Sequence, residues 1–177
     1  MDTQVVIDQS NSKARKATAK NRLNNNELAE AVRLLYAQDE ANLDTFLETV
    51  SEEEAGRKPN NKDWSVKDIL AHLIHNERAF QNNLDEIVMR AEPSYDNFSG
   101  NSDVRVTATV TAFPTLKDLV TELKCLYVET QTLLAELPAD FVARKASYWR
   151  VGFQALQFNA HFQLHLEQMK AVIQSIR

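Results

Sequence analysis

The chain has 177 residues, 44% hydrophobic and 25% charged, with a formal net charge of -5. That length is most simply one domain able to bury a core without staples. Three glycines and four prolines are too few for the turns of an all-β protein, and the acidic balance disfavours general nucleic-acid binding. A single cysteine, Cys125, excludes an internal disulfide framework and suits a reducing cytosol. No apolar run reaches the roughly 18 residues a membrane-spanning helix needs, so a cytoplasmic protein with no membrane partner is expected.

Residues 1–25 lack the apolar core of a secretory signal. They carry Lys13, Arg15, Lys16, Lys20 and Arg22 against Asp2 and Asp8, and read as a basic N-terminal arm ahead of a domain over residues 26–177. A first helix is expected after Asn26, running to about Val50, with Leu28, Val32, Leu35, Leu43, Phe46 and Val50 at three- and four-residue steps. Gly56 and Pro59 break the pattern, and Ser51 with Glu54 can start a short turn by a capping box. Ser65 caps a second helix that continues through Ile69, Leu73, Phe80 and Leu84 to about Arg90.

A long irregular stretch follows, and within it VRVTATV alternates like a strand that has nothing to pair with. It reads as an extended crossover between the second and third helices. Thr115 caps the third helix, whose stripe of Leu116, Leu119, Leu123, Leu126 and Leu134 ends before Pro138. Cys125 falls on this helix and reads as a buried structural thiol rather than a nucleophile. The fourth helix is expected from about Gly152 to the end. Four amphipathic helices of this length read as an all-α four-helix bundle.

His161 and His165 stand four apart on the fourth helix. Residues i and i+4 lie one above the other on a helix face, so both imidazoles can reach one ion. The two remaining histidines, His72 and His75, share the second helix. At about 100° per residue, His72 lies at the edge of the apolar arc, whereas His75 points to the opposite side and should face solvent. His72 is therefore the better third ligand. Glu77 falls inside the apolar arc, where an unpaired carboxylate is costly; it needs a metal, a cation such as Arg144 or Arg150, or a hydrogen-bonding partner.

The run Trp64-Ser65-Val66-Lys67-Asp68-Ile69-Leu70-Ala71-His72-Leu73, with Glu77 beyond it, resembles the second-helix signature of the DinB/YfiT-like metal-binding four-helix bundles. His161 to Gln168 resembles that family's fourth-helix H-x-x-x-H-x-x-Q motif. The resemblance spans about Asn26 to Ile176 and implies a bundle with a long crossover between helices 2 and 3. It places the metal ligands on His72, His161 and His165, and implies a divalent ion, commonly zinc or nickel, with positions open for water or substrate. It also implies frequent homodimers and, in some members, a low-molecular-weight thiol cofactor.

Three neutral imidazoles leave an ion its positive charge, and three protein ligands with a vacancy describe a catalytic site better than a structural one. The expectation is a divalent-metal-dependent enzyme acting on a small molecule, either a thiol-dependent S-transferase or a hydrolase. Glu77 is the candidate general base, Gln168 a partner for a ligand imidazole, and Trp64, Trp149 and Arg150 candidate lining of the substrate pocket. The alternative is a non-catalytic metal-binding or ligand-binding helical dimer.

Overall fold

A computed structural model describes residues 25–90 and 103–177, and among them lie seven helices and no strand. The basic arm lies, but for Asn25, outside the described residues, as does the first half of the crossover, residues 91–102. The long helices are α1 (Asn25–Leu47), α3 (Val66–Val88), α5 (Leu116–Ala135) and α7 (Lys145–Ile176). Between them come α2 (Glu52–Gly56), α4 (Asp103–Ala112) and α6 (Ala139–Val142). No helix of the described residues is long and apolar enough to cross a membrane.

Capping sets three of the starts. Ser51, Ser65 and Thr115 each accept from the backbone N–H three residues on, and Glu54, Asp68 and Asp118 reach back to the cap backbone. Each box satisfies two of the orphan donors at a helix N-terminus. At the other end of α3, Arg144 donates to the carbonyls of Ile87 and Val88 at 3.4 and 2.8 Å, which closes that helix and leaves Arg144 unavailable as a partner for Glu77.

α1 and α3 each pack against both α5 and α7, so the four long helices enclose one core. Leu28, Val32, Tyr36 and Leu43 of α1 meet Ile69, Leu70 and Ile74 of α3, Leu119, Leu123 and Leu134 of α5, and Phe162 and Met169 of α7. Burying side chains of this size contributes about 1.5–3 kcal/mol each.

Four expectations are corrected. The VRVTATV segment lies in the helix α4, not in an extended crossover. Its β-branched residues are weak helix formers, but docking on α3 buries Val106 and Thr109 one turn apart, and Thr111 donates back to the Thr107 carbonyl at 2.8 Å. Tertiary packing outweighs propensity there. The second correction follows from the first. With α4 on its outer side and α2 also against it, α3 is covered all round, and every residue from Asp68 to Glu77 is buried. His75 is therefore 9% exposed rather than solvent-facing, and Arg105 of α4 donates to its Nε2 at 3.3 Å.

α7 begins at Lys145, seven residues before the expected start, and runs straight through Gly152. That glycine is buried against Leu28, whose methyls would lie 3.6 Å from an added Cβ. Cys125, finally, is exposed on α5.

Candidate metal centre

The Ser65–Asp68 box fixes the start of α3, which carries His72 about two turns in. α7 carries His161 and His165 one turn apart. The packing of α7 against α3 turns both faces inward, leaving His72 3% and His165 8% exposed and His161 half-buried.

The three side chains converge on their Nε2 atoms. His161 Nε2 lies 3.4 Å from His72 Nε2 and 3.0 Å from His165 Nε2. One ligand atom from each of the three residues falls within 4.8 Å of the other two. Ions bound by imidazole at about 2.0–2.1 Å have ligand atoms about 3.3 Å apart in a tetrahedron and about 2.9 Å apart at right angles. The observed spacings match those edges, so the donor set fits a divalent ion. Among the described residues no carboxylate, thiol or fourth imidazole joins the cluster.

Electrostatics prepare the imidazoles for this. Burial, then the neighbouring His165 and His72, push His161 down to about 3. Burial pushes His165 down to about 4, helped by the nearby His72 and opposed by the hydrogen bond that His165 donates to Gln168. Both rings are neutral at pH 7, and a neutral imidazole is the form that ligates. Gln168 Oε1 accepts from Nδ1–H of His165 at 2.8 Å, which fixes the tautomer and leaves Nε2 bare toward the cluster. Gln168 thus sits where the fourth-helix motif places it.

The remaining candidates are spread more widely. Glu77 is 1% exposed, and its Oε1 accepts from the hydroxyls of Tyr36 at 2.8 Å and Thr130 at 2.5 Å. Burial raises its carboxyl to about 7 despite those two bonds. Hydroxyls, not arginines, meet its need for a partner. Trp64 lies beside His72, ring centroids 5.1 Å apart, and lines a groove of about 470 Å³. Pro59, Lys62 and Asp63 share that wall; Gln168, Ala171, Val172 and Ser175 of α7 form the other. Trp149, stacked on Phe153, and Arg150 stand exposed in the first turns of α7. Because that helix is continuous, they lie about 16–18 Å along its axis from His161, remote from this groove.

Sequence reasoning missed two residues. Asn76, 9% exposed, points its amide into the histidine cluster, with Nδ2 2.9 Å from His72 Nε2 and 3.4 Å from His161 Nε2. It stands four residues after His72, so the i,i+4 rule that paired His161 with His165 finds it when applied to α3. Asp39 is fully buried on α1 and accepts from Asn159 Nδ2 at 2.6 Å and Gln163 Nε2 at 2.8 Å. It continues the Val32–Tyr36–Leu43 stripe, where a carboxylate is easily passed over.

Comparison with curated proteins and with solved structures gives no match. The family profile of the DinB superfamily matches residues 35–169, a span that holds His72, Asn76, His161, His165 and Gln168. With that match over most of its length, and with three histidines of α3 and α7 meeting at their Nε2 atoms, the chain belongs to the DinB superfamily.

Proposed function

We propose that this protein is a divalent-metal-dependent enzyme whose three-histidine centre works on a small molecule, by thiol-dependent S-transfer or by hydrolysis. The convergence of three neutral Nε2 atoms carries the reading. His72, His161 and His165 would hold the ion, and zinc and nickel both suit imidazole donors. A bound divalent ion supplies Lewis acidity and orients a donor atom of the substrate. Gln168 holds His165 in its ligating tautomer. The groove between Trp64, which packs beside His72, and Gln168, which holds His165, is the place for the body of the substrate or of a low-molecular-weight thiol. Glu77, already paired with the hydroxyls of Tyr36 on α1 and Thr130 on α5, is assigned to joining those helices to α3 rather than to proton transfer.

That pairing of the buried carboxylate favours one second reading, a metal-binding or ligand-binding helical homodimer without chemistry. Metal analysis coupled to turnover separates the two. Purified protein, loaded with zinc or nickel, is screened for transfer from glutathione, bacillithiol and mycothiol and for ester hydrolysis. The enzyme reading expects one ion per chain and a turnover that chelation and His72→Ala both abolish. One ion per chain with no turnover in any arm supports the second reading. Turnover that survives both treatments overturns the metal-dependent one.

A further inference from the structure

We infer that Asn76 is a fourth protein ligand of the centre, its side-chain carbonyl filling the vertex that the three histidines leave; the inference rests on the metal reading above. Four side-chain atoms define the cluster. Their separations are 2.9 Å for Asn76–His72, 3.0 Å for His161–His165, and 3.4 Å for both Asn76–His161 and His72–His161. All four values fall on the roughly 2.9–3.4 Å edges of a coordination polyhedron with bonds of about 2.0–2.1 Å. The amide is thus spaced from two imidazoles as they are spaced from each other.

The helix makes this placement compulsory. His72 and Asn76 are one turn apart on α3 and face His161 and His165, one turn apart on α7. The four form two i,i+4 pairs on facing helices, an arrangement in which bundle cores build metal sites. With Nδ2 toward the ring nitrogens, the amide acts as a donor to their lone pairs. A half-turn about the terminal torsion brings Oδ1 to the same point, and the oxygen is the end that a cation attracts. Burial of Asn76 keeps the amide from swinging out to water.

A neutral oxygen at the fourth vertex has two consequences. It leaves the full positive charge on the ion, and it adds a harder donor to three imidazoles, which works against monovalent copper. It is also a weaker ligand than an imidazole, so an incoming substrate atom either displaces it or adds beside it.

Cobalt(II) reports coordination through its visible absorption without any need for turnover. The test compares wild type, Asn76→Ala and Asn76→Asp by cobalt(II) spectra and by chelator competition for zinc, with thermal melts to confirm folding. Asn76→Ala is expected to weaken zinc binding about 10–100-fold and to change the cobalt band. Asn76→Asp, which restores an oxygen and adds charge, is expected to bind at least tenfold tighter than the alanine variant and to return a band close to wild type. If Asn76→Ala does not fold, a zinc affinity of Asn76→Asp at least tenfold above wild type supports the assignment, and one within twofold of wild type overturns it. Wild type binding one ion, with both variants matching its affinity and spectrum, overturns the Asn76 assignment alone. Wild type binding none overturns the three-histidine reading and this one together.

Discussion

Replacing His161 by alanine is expected to abolish stoichiometric binding of a divalent ion. His161 is the middle vertex of the cluster, its Nε2 within 3.4 Å of the Nε2 of His72 and 3.0 Å of that of His165. Without it, one ligand imidazole remains on each helix, and binding pays the full cost of dehydrating the ion for fewer bonds. Changing a residue that merely supports a ligand costs about 10–100-fold in affinity, so loss of a central ligand should exceed a hundredfold. His161 is half-buried and carries no structural hydrogen bond comparable to the Asp39 or Glu77 contacts, so the variant should fold. Metal analysis after loading and desalting reads the result directly. Equal occupancy in wild type and variant would contradict it.

Unfolding free energy of the ion-free protein is expected to drop by about 2 kcal/mol between pH 6.5 and pH 8. Burial raises Asp39 from 3.8 to about 8 and Glu77 from 4.5 to about 7. The folded protein keeps those protons after the unfolded chain has released them. The stability they contribute is therefore present at low pH and lost as pH rises through the folded values. His161 and His165 act in the opposite sense. Lowered from 6.5 to about 3 and about 4, they lose stability as pH falls below 6.5.

Between about pH 4.5 and 6.5 the two pairs offset one another, and above 6.5 the histidine effect fades and the carboxyls dominate. Each pH unit of unmatched titration is about 1.4 kcal/mol, and Asp39 supplies most of the drop. Asp39→Asn should flatten it, since the amide oxygen still accepts from Asn159 and Gln163 while the ionisation is gone. Urea denaturation at pH 6.5 and 8 with chelator present checks both. A wild type equally stable at the two pH values would refute the assignment of Asp39 as the titrating group.

The parts of this protein that declare themselves in sequence are those where one local signal suffices. Ser65 and Asp68 spell a capping box three residues apart, and α3 begins where they say. His161 and His165 declare their shared face by spacing alone, and the wheel ranks His72 above His75 as their partner. What stays hidden depends on elements meeting from afar. α4 is helical because α3 offers it a surface, which no property of VRVTATV reveals. The burial of His75 is hidden for the same reason, since the wheel assumes water on any side without an assigned neighbour. Asp39 lies within reach of the stripe rule but is polar, and its amide partners stand more than a hundred residues away on α7. Asn76 was legible. It takes only the i,i+4 rule and a readiness to count an amide among ligands.

The central claim is that His72, His161 and His165 bind one divalent ion through their Nε2 atoms. Anomalous diffraction from crystals grown with zinc, collected on both sides of the zinc absorption edge, tests it most directly. The prediction is a single strong peak about 2.0–2.1 Å from all three Nε2 atoms. No peak at the cluster, or one held by fewer than all three of these histidines, would contradict it.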